Sequence, residues 1–177
     1  MTTSLVVTIV GPDRPGLVSW LSDKATAHGA NWAESRMANL AGQFAGILRL
    51  QVQDAKADAL IAALNEIKSL GLDIVIAKSN PTSTAVPSRL LNLELVGQDR
   101  PGIVRDISRT LADQGVSIEE LHTELVSGSW SGENLFQAKA KLRVPTTIAT
   151  DELRNTLEAL ANELMVDLNL DNATAKA

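Results

Sequence analysis

Five residues recur at the same spacing within a six-residue stretch at two places in the chain. Gly11-Pro12-Asp13-Arg14-Pro15-Gly16 is followed 86 residues later by Gly97-Gln98-Asp99-Arg100-Pro101-Gly102. Each copy follows a short alternating apolar run and precedes apolar residues spaced four apart, so it reads as the join between a strand and a helix. The first backbone N–H groups of such helices, near Gly16-Leu17-Val18 and Gly102-Ile103-Val104, have no partner inside the helix. They lie at the positive end of the helix dipole, a place suited to a carboxylate or phosphate. Glycine at 16 and 102 lets a ligand approach the backbone, and Arg14 and Arg100 attract an anion. A purely structural reading uses the same residues. Asp13 and Asp99 would cap the helix, Pro15 and Pro101 would open it, Gly11 and Gly97 would serve a turn, and both arginines would be solvated. Both readings stand on the residues alone.

The elements around each copy repeat as well. Leu5, Val7 and Ile9 map onto Leu91, Leu93 and Leu95, and Leu17, Leu21 and Ala25 onto Ile103, Ile107 and Leu111. The offset grows from 86 to 92 by Phe44 and Phe136, which leaves six extra residues between Thr123 and Leu135. The chain is therefore a tandem duplication. Each half predicts strand, helix, strand, strand, helix, strand. First strands run over Leu5–Val10 and Leu91–Val96, and first helices end at Gly29 and Gly115. Hairpins join Asn31–Asn39 to Phe44–Val52 and Ser117–Leu125 to Leu135–Val144. Second helices span Lys56–Leu70 and Thr150–Leu164, and last strands Asp73–Ala77 and Val166–Leu170. That order places two helices on one face of a four-stranded antiparallel sheet. The expected fold class is α+β, two ferredoxin-like βαββαβ sandwiches in tandem. The expected first domain is 1–79, the linker 80–88, the second domain 89–171 and a tail 172–177.

Composition narrows the chemistry. The 177 residues are 45% hydrophobic and 21% charged, with net charge -5, two histidines and no cysteine. Disulfides, thiolate metal sites and cysteine nucleophiles are excluded, and neither a metal site nor a cofactor is expected. Net acidity argues against direct nucleic-acid binding. Met1-Thr2-Thr3-Ser4 lacks a basic leader, and no apolar run nears the roughly 20 residues that span a bilayer, so no membrane association and a cytoplasmic location are expected.

The repeated strand–GxDRPG–helix unit resembles the ACT domain, a regulatory module that commonly binds amino acids. The doubled form, together with Gly132-Glu133-Asn134-Leu135-Phe136-Gln137-Ala138-Lys139-Ala140, resembles the glycine cleavage system transcriptional repressor family. The resemblance implies a ligand lying between paired domains, held by the first loop and the start of the second strand. It therefore implies Asp13, Arg14, Gly16 and Leu17 with Asn31, and Asp99, Arg100, Gly102 and Ile103 with Ser117. Many amino-acid-binding ACT domains have asparagine where this chain has Asp13 and Asp99. A carboxylate there accepts from an α-ammonium group and repels an α-carboxylate. The implied function is a non-enzymatic regulator that senses a small amino acid, glycine or serine-like. It would act through a protein partner, a DNA-binding activator, and as a homodimer. The alternatives are a regulatory subunit controlling an amino-acid enzyme in trans, a stand-alone enzyme, or a constitutive adaptor with degenerate loops.

The open sheet faces weigh on these alternatives. Gln137, Lys139, Lys141 and Arg143 should face Glu94, Glu120 and Glu124 as cross-strand pairs rather than form an aromatic RNA platform. The first copy's face, with Val6, Thr8, Ala38, Ala45 and Ile47, is less polar and suits a dimer or interdomain contact. His28 should aid a helix C-terminus, His122 should sit on a sheet face and Trp32 in a core. Trp20 should be partly buried or at a domain contact. Trp130, in the inserted hairpin tip, reads either as a mobile loop residue or as a partner anchor.

Overall fold

The structure, a computed structural model, describes residues 1–79, 86–127 and 134–173. The Trp130 tip lies outside the described residues, as do residues 80–85 of the expected linker and 174–177 of the expected tail. The chain divides into two compact units, Met1–Ser83 and Thr84–Ala177.

In unit 1, β1 (Thr2–Pro12), α1 (Leu17–Ala27), β2 (Asn31–Leu40), β3 (Gln43–Gln53), α2 (Asp54–Asn65) and β4 (Asp73–Ser79) follow in order. Unit 2 repeats them as β5 (Ser88–Gln98), α3 (Ile103–Asp113), β6 (Ser117–Ser127), β7 (Asn134–Pro145), α4 (Thr150–Leu164) and β8 (Val166–Asn172). The sheets have the orders β2-β3-β1-β4 and β6-β7-β5-β8, antiparallel throughout. Each unit is thus a ferredoxin-like α+β sandwich.

Period-two alternation explains why the helices cover one face only. Leu5, Val7 and Ile9 of β1 and Leu48, Leu50 and Val52 of β3 are buried beneath Leu17, Leu21 and Ala25 of α1 and Leu60 and Leu64 of α2. Unit 2 builds its core from Leu91, Leu93, Leu95 and Leu142 with Ile103, Ile107, Leu111, Leu153 and Leu157. Intervening strand residues face away from both helices.

Three local features depart from the expected outline. The second helix of unit 1 ends at Asn65 and tightens into a 3-10 segment, Glu66–Leu70, which keeps Ile67 in the core before Gly71 turns the chain. The second strands carry a bulge at one repeat position, between Trp32 and Glu34 and between Ile118 and Glu120. Lys141 pairs with Glu120 at 3.6 Å as the alternation implied, while Arg143 reaches the bulge residue Glu119 at 2.6 Å.

The third is a strained cap. Gly71 closes the second helical segment of unit 1 with φ 78, and the matching place in unit 2 holds Met165 with φ 52. The Met165 side chain is 71% exposed and contributes little packing. Met165→Gly is expected to raise the stability of unit 2 by about 1 kcal/mol, read as a higher urea midpoint.

Candidate functional site

The repeated loop leaves the end of the first strand and is tied to the neighbouring hairpin. The Asp13 N–H donates to the Gly42 carbonyl at 3.0 Å, and the Asp99 N–H to the Asn134 carbonyl at 3.2 Å. The helices begin at Leu17 and Ile103, so Pro15 and Pro101 precede them rather than open them. Gly16 (φ 92, ψ -2) and Gly102 (φ 100, ψ -9) occupy the third position of a type II turn, with proline in the second. The repeated Pro-Gly is therefore required by backbone conformation. Asp13 and Asp99 are not helix caps: the N-caps are the two glycines, and no side chain caps either helix. The Asp13 carboxylate instead accepts a hydrogen bond from the Asn39 side chain at the far end of β2.

Gly11 and Gly97 also have a different reason from the turn expected of them. Both lie inside strands. A Cβ on Gly97 would meet Val166 Cγ1 at 2.5 Å, and one on Gly11 would meet Leu72 Cα at 3.0 Å. They are needed because the chain passes close to the first strand where it enters the last one, at Leu72 just before β4 in unit 1 and at Val166 in unit 2.

The helix starts offer backbone donors. The first intrahelical bonds are Trp20 N–H to Gly16 carbonyl and Asp106 N–H to Gly102 carbonyl, both 2.9 Å, so the preceding amides of each first turn are left to other acceptors. Leu17 and Ile103 are buried core residues, and only their backbone can serve a ligand.

Around these donors the two loops differ. At Gly16 a Cβ would have nothing within 4 Å, and no ion pair or side-chain hydrogen bond engages Arg14 among the described residues. At Gly102 the same direction meets Arg105 Nη2 at 3.2 Å and Asp106 Oδ2 at 3.6 Å. Arg105 Nε donates to Asp106 Oδ1 at 2.8 Å, and this bond holds the Asp106 carboxyl below its ordinary range, with the charges of Arg109 and Arg100 acting the same way. Arg100 Nη2 donates to the Glu163 carbonyl at 3.1 Å, in the last turn of α4. The unit 2 helix start thus has its own carboxylate at hand, and its loop arginine is already committed. The unit 1 start is open.

Asn31 and Ser117 are not beside these loops in their own units. Asn31 is level with Gln51 and hence with Ser4, whereas the unit 1 loop leaves β1 after Pro12. Ser117 is level with Arg143 and Leu90, and the unit 2 loop leaves β5 after Gln98. At about 3.3 Å per residue, loop and residue stand about 26 Å apart along the sheet. No single unit can close both around one small amino acid.

The remaining candidates have structural roles. His28 Nδ1 lies 2.9 Å from the Lys24 carbonyl at the end of α1, and His122 sits on the exposed β6 opposite Lys139. Trp20 and Trp32 are partly buried against the unit 1 core, with Lys24 Nζ 5.2 Å from the Trp20 ring centroid. Asn39 and the Glu163 carbonyl were not foreseeable as loop partners, because only strand register and helix docking bring them there. A narrow apolar cleft with room for only about 20 Å³ lies between α3 and β6, lined by Val104, Ile107, Ile118, Leu121 and Phe136. Its one polar side chain, Ser108, cannot satisfy both ends of an amino acid. Among the described residues no three His, Asp or Glu side chains are grouped to hold a metal ion, and no helix is long and apolar enough to cross a membrane.

The ACT domain family model matches residues 3–77 and again residues 89–171. The glycine cleavage system transcriptional repressor of Escherichia coli (strain K12) is 25% identical over 166 residues, covering 90% of this chain and 85% of the relative. A protein of unknown identity from Galdieria sulphuraria has a crystal structure that covers 98% of this chain and 100% of its own, with TM-score 0.86 and 30% identity. A crystal structure provisionally assigned as a glycine cleavage system transcriptional repressor matches over 99% of both chains with TM-score 0.72 and 20% identity, a likeness of fold.

Proposed function

Because the chain belongs to the ACT-domain family, with one domain in each half, we propose that it is a non-enzymatic regulator that senses a small amino acid through the loop of unit 1. One observation carries this reading: the α1 start combines outward backbone donors, the unengaged Arg14 and open space at Gly16. An amino acid's carboxylate would accept from the first-turn amides of α1 beside Arg14. Its ammonium group would lie toward the Asp13 carboxylate. Asn31 belongs to the same site only if a second copy of the chain supplies it, in keeping with action as a homodimer. By likeness to the Escherichia coli repressor, the proposed effector is glycine and the proposed output is regulation of glycine cleavage genes through a DNA-binding partner protein.

For signalling, the amino acid must bind the partner-free and partner-bound states with different affinity. Unit 2 supports a second role. With the Arg105–Asp106 pair bordering its helix start and Arg100 held by α4, that loop has less room and no uncommitted loop arginine for a ligand, and acts as structure. Calorimetric titration of the full chain with glycine, serine and other amino acids is the test. The expected result is one site per chain. No heat and no thermal shift with any of them refutes sensing.

A further inference from the structure

The two units share a fold but differ on the sheet face that no helix covers. In unit 1 that face consists of alternate residues, with Ala38, Ala45, Val10 and Asp73 in one row across the sheet, Arg36, Ile47, Thr8 and Val75 in the next, and Glu34, Arg49, Val6 and Ala77 beyond. Val10 is 45% exposed, Ile47 46% and Val75 68%. In unit 2 the same rows hold Glu124, Gln137 and Val96, then His122, Lys139, Glu94 and Asn169. After a duplication, one face has an apolar centre of Val6, Val10, Ile47 and Val75 with charges around it, and its counterpart is charged across its centre as well. An exposed sheet tolerates the second in water, and the first gains by being covered.

We propose that the open face of the unit 1 sheet is a dimer interface, on which the same face of a second copy of this chain packs. Three observations select a second copy as the occupant. The face is self-complementary in charge, since Glu34 and Asp73 balance Arg36 and Arg49. Glu34 is moreover already bonded to Arg36 at 2.9 Å and near Arg49 at 3.6 Å, so two such faces meet without repulsion. Its relief is self-complementary as well. Ala38, Ala45 and Gly46 line a shallow depression of about 370 Å³ together with the larger side chains of Ile47 and Val10, so one surface offers both small and large side chains to an isologous contact. Its extent is close to that of a small specific contact. Four strands are about 19 Å wide and seven residues about 23 Å long, roughly 400–500 Å² per copy before side-chain relief. Two copies then approach the ~1,000 Å² at which specific interfaces begin. The counterpart face of unit 2 carries more acids than bases, and two such faces would repel.

Sedimentation velocity of the full chain over a range of concentrations tests this without any amino acid, so its outcome is separate from that of the sensing test. The wild-type chain is expected to dimerise. Ile47→Lys and Val75→Lys are each expected to weaken the dimer about tenfold or more, because each buries an unpaired charge. Asn169→Lys, at the position in unit 2 that matches Val75, should leave it unchanged. Circular dichroism and the urea midpoint of each dilute variant should match the wild type, since both side chains are exposed in the single chain. A wild-type chain that stays monomeric at every concentration overturns the proposal and leaves the face to a different protein. A dimer that withstands both substitutions, or that Asn169→Lys weakens equally, also overturns it.

Discussion

Gly97→Ala is expected to destabilise unit 2 by about 3 kcal/mol, while unit 1 unfolds at its usual midpoint. Gly97 stands directly opposite Val166 in the β5–β8 pair. An added methyl would lie 2.5 Å from Val166 Cγ1 and 2.9 Å from Val166 Cα. A side chain can rotate away from the first contact. The second is backbone, and relieving it means parting two hydrogen-bonded strands. Val166 also belongs to the unit 2 core, so the shift spreads into Leu95 and Leu164 and their neighbours. Gly11→Ala, whose methyl would meet Leu72 Cα at 3.0 Å, should cost less, about 1 kcal/mol. Urea unfolding followed by far-UV circular dichroism measures the loss, and tryptophan fluorescence in a Trp130→Phe background, where only Trp20 and Trp32 remain, follows unit 1. Adding Val166→Gly should recover part of the stability, because it removes the nearest carbon and leaves the Cα. An unchanged unit 2 midpoint in Gly97→Ala would refute the close-approach explanation.

Gly16→Asn is expected to lower affinity for the effector amino acid about 100-fold, and Gly102→Asn to change it less than about threefold. Valine would be uninformative at either place, because φ near 92 or 100 strains a β-branched residue with or without ligand. Asparagine tolerates this turn position, so the fold should survive. At Gly16 its side chain would enter the open space in front of the α1 amides and supply their acceptor itself. The ligand then loses both the space and about two charge-assisted hydrogen bonds. At Gly102 the corresponding space is already bordered by Arg105 and Asp106, so little is left to lose. Calorimetry on both variants, with thermal unfolding to confirm folding, separates the loops. Equal losses in the two variants would mean that both loops bind. No loss in Gly16→Asn would exclude the α1 start as the site.

Much of this molecule was legible in its sequence because the signals were local. Leu5, Val7 and Ile9 alternate, and Leu17, Leu21 and Ala25 fall four apart, so each element announced both its type and its buried side. The repeat then doubled every such signal. The loop residues were harder to interpret. Pro15-Gly16 resembles a helix opening and a type II turn equally in one dimension, and only the dihedral angle of Gly16 separates them. The bulges at residues 33 and 119 were hidden because an extra residue in a mixed polar stretch leaves no periodic trace, and Arg143 consequently found Glu119.

The sequence by itself determined that this protein is a duplicated βαββαβ unit with an identical GxDRPG motif in each half, because hydrophobic periodicity and turn chemistry act over a few residues. Only the tertiary structure decided that the two motifs are not equivalent. Arg100 is held by a carbonyl 63 residues away, Gly97 is constrained by Val166, and Asn31 stands at the opposite end of the sheet from the loop of its own unit. Each of these facts depends on strand register and helix docking. Those are set by the burial of whole faces against distant partners, and no short stretch of sequence records them.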